Sequence, residues 1–343
     1  MNQDWQNFLA LQGAQIQEGL VNRFGDAAAE RIATRDGTVI CDLGQYGMLR
    51  VSGEEAETFL QNLLSNDIRE VSGTRAQFSS LNTAKGRMLA TLLIWREGDN
   101  YLLQLPRVLC DPIRKRLGMY VLRAKVMISD VSDELVTLGL SGTNTLDSMH
   151  RRFGELPLSP LDCINTGQCS ITRIEETRWQ INTTPQQAQM LWKDLSATIR
   201  PVGSSCWDWL NIRSGIPVIL PQTQEQFVAQ MVNFDQLHGV NFKKGCYPGQ
   251  EIVARTQYLG KQKKRMYLAH VDSEETPLPG DELFNADMEG QSCGMIVNAA
   301  DAPSGGFDVL AVVQISSHDA HLVHLGSLQG ATFAFEQLPY PLP

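Results

Sequence analysis

The chain has no run close to the ~20 consecutive apolar residues that a membrane helix needs. Its start, Met1-Asn2-Gln3-Asp4-Trp5, has neither the basic stretch nor the apolar core of a secretion signal. Paired cysteines are missing too. The seven thiols (Cys41, Cys110, Cys163, Cys169, Cys206, Cys246 and Cys293) are odd in number, scattered, and form no CxxC. That usage fits free thiols in a reducing cytoplasm and argues against a disulfide-built secreted protein. No fixed-period repeat, low-complexity tract, Walker loop, G-x-S-x-G elbow or G-x-G-x-x-G is present. Base is in deficit as well: 29 Lys and Arg stand against 38 Asp and Glu, a net charge of −9. A globally basic nucleic-acid binder is thereby excluded, although a local basic patch is not.

What is there is a globular composition, 43% apolar and 20% charged over 343 residues. This is enough for about two domains or one elaborated one. Residues 1–35 predict an amphipathic, loosely attached helical lead. Met48 to Val51 reads as a strand. Ser52 with Glu55 forms a capping box, and Ala56, Phe59, Leu60, Leu63 and Leu64 follow at helical spacing. Met88–Trp95 and Tyr101–Leu105 predict a hairpin, and Pro106–Leu117 a helix with a cationic face. Strands and helices alternate without a regular βαβ rhythm, so the fold class is α+β. From about Arg265, short strand-like pieces separated by Gly-, Pro- and Asp-rich turns predict a small C-terminal antiparallel β-barrel or sandwich. The domains expected are the lead (1–35), an α+β core (36–264) and the barrel (265–343), with the boundary falling near 262–272.

The densest chemistry lies in Phe-Lys-Lys-Gly-Cys-Tyr-Pro-Gly-Gln-Glu-Ile-Val-Ala-Arg-Thr, residues 242–256. Gly245 and Gly249 bracket Cys246, so the thiol sits on a turning backbone and is presented rather than packed. Lys243 and Lys244 precede it, and cations beside a thiol favour the thiolate. Gln250 and Glu251 add an amide and a carboxylate. The plainer alternative is a small buried cysteine beside ordinary solvated lysines. From 243 to 265 there are seven basic residues (Lys243, Lys244, Arg255, Lys261, Lys263, Lys264, Arg265) and one acid, Glu251, a net of +6. Such a patch attracts a polyanion: a nucleic-acid backbone, a phosphate or a polycarboxylate tail. Edge-strand lysines that merely discourage aggregation are the competing explanation.

Lys244-Gly245-Cys246-Tyr247-Pro248-Gly249-Gln250-Glu251 resembles the KGCYxGQE signature of the YgfZ family. Three weaker pieces in the same order extend the resemblance over residues ~40 to ~340. They are Leu49–Ala56 with Phe59-Leu60 and Asn66-Asp67; the Asn82–Arg87 hairpin; and Leu210–Pro217. The resemblance implies folate-binding proteins linked to iron–sulfur cluster maintenance and tRNA modification. Their fold is similar to the glycine-cleavage T-protein: α+β subdomains around a central cavity, plus a C-terminal antiparallel β-barrel. It implies tetrahydrofolate or a derivative as the cofactor, with Tyr46 and Trp207 at the two aromatic folate contacts; Tyr46 is a substitution for tryptophan. Gln250 and Arg255 join them as cofactor-binding candidates, and Cys246, Lys244 and Glu251 are the candidates for the chemistry. A polyglutamate tail would suit the basic patch.

Two departures bear on activity. Where T-proteins carry a catalytic aspartate, this chain has Ala90 and Thr91, neither of which ionises, so conventional aminomethyltransferase activity is not expected. Where relatives carry Glu, it has Arg213, which can only donate hydrogen bonds; either Asp208 or Asp235 accepts from a pterin instead, or the pterin sits differently, or folate binds weakly. The leading reading is a cytoplasmic folate-binding accessory protein with a functional thiol at Cys246. It would serve iron–sulfur assembly proteins or client enzymes and lack conventional turnover. The alternatives are a folate-dependent one-carbon transferase on an unidentified substrate, and a tRNA-binding module using the 243–265 patch. No metal site is assigned. His318, His321 and His324 lie in a strand-like context that scatters them, and Cys163 with Cys169 lacks a second ligand pair. His238 is the only histidine near Cys246 in sequence and reads as a loop residue.

Overall fold

In the strand Arg178–Thr183, Trp179 and Ile181 alternate with Arg178, Gln180 and Asn182. That period of two gives one sheet an apolar face and a polar one. The computed structural model describes every residue except Leu259, Lys261 and Pro343. It divides into two units: Met1–Leu60 with Ile68–Gln77 and Leu92–Trp207, and Gln61–Asp67 with Phe78–Thr91 and Asp208–Pro343. The boundary expected at 264/265 runs inside the second unit. Among the described residues no helix is long and apolar enough to cross a membrane.

In the first unit a six-stranded sheet runs in the order Cys163–Asn165, Cys169–Glu175, Arg178–Thr183, Val136–Ser141, Val39–Asp42, Arg200–Val202. All its pairs are antiparallel except the last. Ile40, Leu138, Leu140, Ile171, Trp179 and Ile181 form its apolar face and pack against Trp5, Phe8, Leu9, Leu191 and Trp192. The hairpin Met88–Glu97/Asn100–Pro106 appears as expected, and the helix after it runs Arg107–Val121.

Residues 1–35 are not a loose helical lead. They form the helix Gln3–Leu11, a hairpin of Gln15–Gln17 with Leu20–Arg23, and the helix Ala27–Asp36, which runs one residue further. Trp5 is 1% exposed, and its indole Nε1–H donates to Asp42 Oδ1 at 2.8 Å. Burial pushes the Asp42 carboxyl up to about 6, against the opposing pull of the Trp5 and Gly44 N–H donors and of Arg107. Glu30, also buried, accepts from the backbone N–H groups of Phe24, Gly25 and Gly203. A sequence window shows the amphipathic helix but not the distant groups that anchor it. The expected capping box does not form either. Glu55 Oε2 accepts the backbone N–H of Lys125, and Ser52 belongs to the strand Tyr46–Ser52.

The C-terminal strands of the second unit form one curled antiparallel sheet. Its order is His324–Leu325, Glu282–Phe284, Gly294–Asp301, Phe307–Gln314, Lys264–Val271, Phe333–Glu336. Both faces are buried. Tyr267, Ala269, Val309, Ala311 and Val313 fill one side with Leu283 and Val323. On the other, Met266, Leu268, Leu310 and Val312 pack on Ile212, Phe227, Phe234 and Val253. The helix carrying Val253 therefore shares a core with this sheet.

Candidate functional site

Cys246 is exposed, whereas the other six cysteines are buried. Burial pushes the Cys110 and Cys163 thiols up to about 11, which keeps them protonated and inert at neutral pH. The segment 245–247 is irregular, and the helix Gln250–Tyr258 follows it.

Lys244 does not stand beside the thiol as a free cation. Its side chain is buried, and Nζ donates to three backbone carbonyls: Gln61 at 2.7 Å, Leu64 at 2.6 Å and Asn66 at 2.9 Å. The turn that supplies them is itself tied down. Asn66 Nδ2 donates to Phe78 O and His238 O, and Ser65 Oγ donates to Gly239 O. Asn241 Oδ1 accepts the backbone N–H groups of both Lys243 and Lys244. Tyr247 is buried, with its ring centroid 5.3 Å from Lys244 Nζ, and burial raises its phenol well above the ordinary range. Gln250 Nε2 donates to Lys244 O at 3.1 Å and closes the loop. Glu251 and Arg255 are exposed on the helix that follows.

Two stretches from opposite parts of the sequence meet here. Gly249 has φ +82°, and a Cβ on it would lie 2.4 Å from Gly86 Cα and 2.5 Å from Thr83 O. Gly86, at φ +71°, would bring a Cβ to 3.1 Å from Gly249 O. Only glycine at both positions lets the 82–87 hairpin lie backbone to backbone on the start of the helix. The glycines were visible in the sequence as turn formers. Their mutual contact was not, since nothing local signals it.

The +6 patch shrinks in three dimensions. Arg265 is buried and forms a forked pair with Asp235 at 2.9 and 3.1 Å, with Gln230 O accepting a further bond. Lys244 is spent on carbonyls, and Lys261 lies outside the described residues. Lys243, Arg255 and Lys263 remain exposed and Lys264 is half-buried, with Glu251 exposed among them. Asp235, one of the two acids considered in place of a glutamate at 213, is paired with Arg265. Arg213 bonds to Glu336 at 2.7 Å and lies 3.4 Å from Asp308. Asp308 also accepts from Trp209 Nε1 and faces His270 Nδ1, both at 2.8 Å. Burial works against the charge on His270, but Asp308 and Asp272 outweigh it and raise the imidazole pKa.

Trp207 and Tyr46 belong to the first unit. Tyr46 is half-buried at the start of its strand. Trp207 is 2% exposed; its ring rests where a Cβ on Gly139 would have to be, and the Arg178 guanidinium lies 4.4 Å from the ring centroid. Gly139 pairs across the sheet with Gln180, and Gln180 with Thr172, so this stack continues the polar face. Gln104 and Gln180 bond to each other, and Thr137 Oγ1 donates to Asn182 Oδ1 at 2.8 Å. Thr172 Oγ1 and Asn182 Nδ2 are buried and find no hydrogen-bond partner among the described residues. A buried polar face beside an indole–guanidinium stack was not anticipated; the signal for it was polar residues alternating within strongly β stretches.

The three histidines part company. His318 lies in the helix Ile315–Ala320 and stacks on Tyr267 at 3.8 Å; His321 pairs with Asp287; His324 is in a strand. Among the described residues no group of three or more His, Cys, Asp or Glu is placed to hold a metal ion.

The model of the GCVT N-terminal domain matches residues 14–235, well over half of the chain. The chain belongs to that family. Its curated relatives include the tRNA-modifying protein YgfZ of Escherichia coli O157:H7, 29% identical over 302 residues, which are 88% of this chain and 92% of the relative. The protein of the same name from Shigella boydii is 28% identical over the same shares. The resemblance seen in the signature octapeptide thus extends over most of both chains. Among solved structures, the glycine cleavage system aminomethyltransferase T of Bartonella henselae matches with a TM-score of 0.81 at 16% identity. The match covers 99% of this chain and 97% of that one, and it shows the T-protein-like fold.

Proposed function

We propose that this protein is a folate-binding accessory protein that supports iron–sulfur enzymes and tRNA modification through the thiol of Cys246. One observation carries the reading: of seven cysteines only Cys246 is exposed, and it sits in the Lys244–Glu251 loop whose sequence resembles the YgfZ signature. The buried donors and acceptors of the first unit suit a pterin. An amino-pyrimidine edge needs both amide donors and hydroxyl or carbonyl acceptors, and Asn182 Nδ2 and Thr172 Oγ1 are uncommitted. Trp207 and Arg178 supply a flat, cationic neighbour. Tyr46 is a second aromatic candidate. Bound folate would supply one-carbon chemistry; the chain's part is to bind and orient it and to present the thiol.

Thr91 supports the absence of conventional aminomethyl transfer. With Ala90 it stands where T-proteins carry the aspartate, neither residue ionises, and Thr91 Oγ1 accepts the Ile219 backbone N–H at 3.2 Å. Lys244, first a candidate for chemistry, is better read as an anchor. Gln250 acts within the loop, and Glu251 and Arg255 are its exposed flank. Any tRNA contact would use the reduced surface of Lys243, Arg255 and Lys263. The protein would act in the cytoplasm with iron–sulfur assembly proteins or their client enzymes.

The test is titration with tetrahydrofolate, followed by tryptophan fluorescence. Saturable quenching at one equivalent, lost in Trp207→Leu, is the expected result. No quenching, with no heat of binding by calorimetry, would overturn the folate assignment. Catalytic consumption of methylene-tetrahydrofolate would favour a one-carbon transferase instead.

A further inference from the structure

We propose that Lys244 is a positioning residue: its buried ammonium pins the loop to the 61–66 turn and so fixes where Cys246 presents its thiol. The proposal rests on the reading of Cys246 as the functional thiol. A lysine ammonium has three N–H donors and no acceptor. Here all three reach backbone carbonyls, of Gln61, Leu64 and Asn66. Three carbonyls at one turn form a cage that fits an ammonium, and an apolar replacement would remove the donor that reaches all three. The anchor lies two residues before Cys246, and the buried Tyr247 lies directly after it. Two residues of extended chain reach only about 7 Å, so the thiol cannot move far while both neighbours are held.

The remaining contacts reinforce this. Asn241 Oδ1 fixes the backbone entering the loop, and the Gln250 amide returns to the Lys244 carbonyl. Gly249 then locks the exit against Gly86. A nucleophile held in one geometry reacts far faster than one that must be ordered during the reaction, and a 1 Å misplacement can cost on the order of a hundredfold. A lysine serving only general stability would not need its effect to appear at the sulfur. This one should act there first.

The experiment uses the full chain with a trifluoromethyl label on Cys246, the exposed thiol. It compares wild type with Lys244→Met and Lys244→Arg. Fluorine spectra, melting temperature and restoration of thiolated tRNA nucleosides in cells lacking the native protein are measured for each. The wild type should give one resonance with the line width of the folded protein. Lys244→Met should give a narrowed or split resonance and roughly a tenfold or greater loss of restoration, while Lys244→Arg, which keeps donors, recovers part of both. An unchanged resonance and unchanged restoration in Lys244→Met would overturn the proposal. If Lys244→Met does not fold, Gln250→Met removes the loop-closing bond alone; it should broaden or shift the resonance, and an unchanged one would be equally fatal. Unlabelled Cys246→Ala separates the two ideas. Full restoration by that variant would defeat the thiol reading and leave the spectral result intact.

Discussion

Two regions of the second unit hold a cation, Lys244 buried and Arg213 half-buried, through different partners. Lys244 is held by three backbone carbonyls, neutral dipoles supplied by a single turn. Arg213 is held by two carboxylates, Asp308 and Glu336, and Asp308 is shared with Trp209 and His270. Beside Arg213 stands an imidazole, His270, whose raised pKa makes that cluster respond to pH. The difference suits their places. The loop around Lys244 presents a thiol and should keep one geometry across physiological pH. The Arg213 cluster joins a helix end to two strands.

The comparison can be broken most severely at Gly249. Gly249→Ala places a Cβ against Gly86 backbone atoms at a positive φ. We expect a loss of about 3 kcal/mol or failure to fold, read by urea unfolding. An alanine variant as stable as the parent would mean that the hairpin and loop do not meet as described. Next in size is Asp308→Asn, which keeps an acceptor for Trp209 but removes the charge facing Arg213 and His270. It should cost about 2 kcal/mol in the same assay, with the Cys246 label spectrum unchanged. A shifted label would show that the two regions are coupled.

The smallest effect sharpens the contrast. The pKa of His270 is raised in the folded protein, so its stabilising contribution is complete below the unfolded value near 6.5 and is lost as pH rises through the folded value. The stability gap between wild type and His270→Gln should therefore be widest near pH 6 and should close at higher pH. Backbone-amide exchange in residues 241–250, corrected for the intrinsic rate, should stay flat over that range. A gap that widens with pH would reverse the assignment.

Much of this was legible from local pattern. The hairpin 88–106, the following helix, the short C-terminal strands and the signature turn all announce themselves within a few residues, through periodicity or turn formers. What was hidden depends on partners far along the chain. Lys244 reaches a carbonyl 180 residues away, Arg265 finds Asp235 across 30, and Trp5 finds Asp42 across 37. Reading the 243–265 run as one exposed patch failed because residue type alone does not say whether a cation faces water or a buried acceptor. The failure of the capping box at Ser52 was equally invisible locally: Ser52 pairs with Met127 in the sheet, and Glu55 accepts the backbone N–H of Lys125, 70 residues away.

The proposed function stands or falls with the exposed sulfur of Cys246. The most direct measurement is mass-spectrometric quantification of thiolated tRNA nucleosides in cells that lack the native protein and express either wild type or Cys246→Ala at equal abundance. Restoration by the wild type, and little or none by the variant, is the expected result. Equal restoration by both would contradict it.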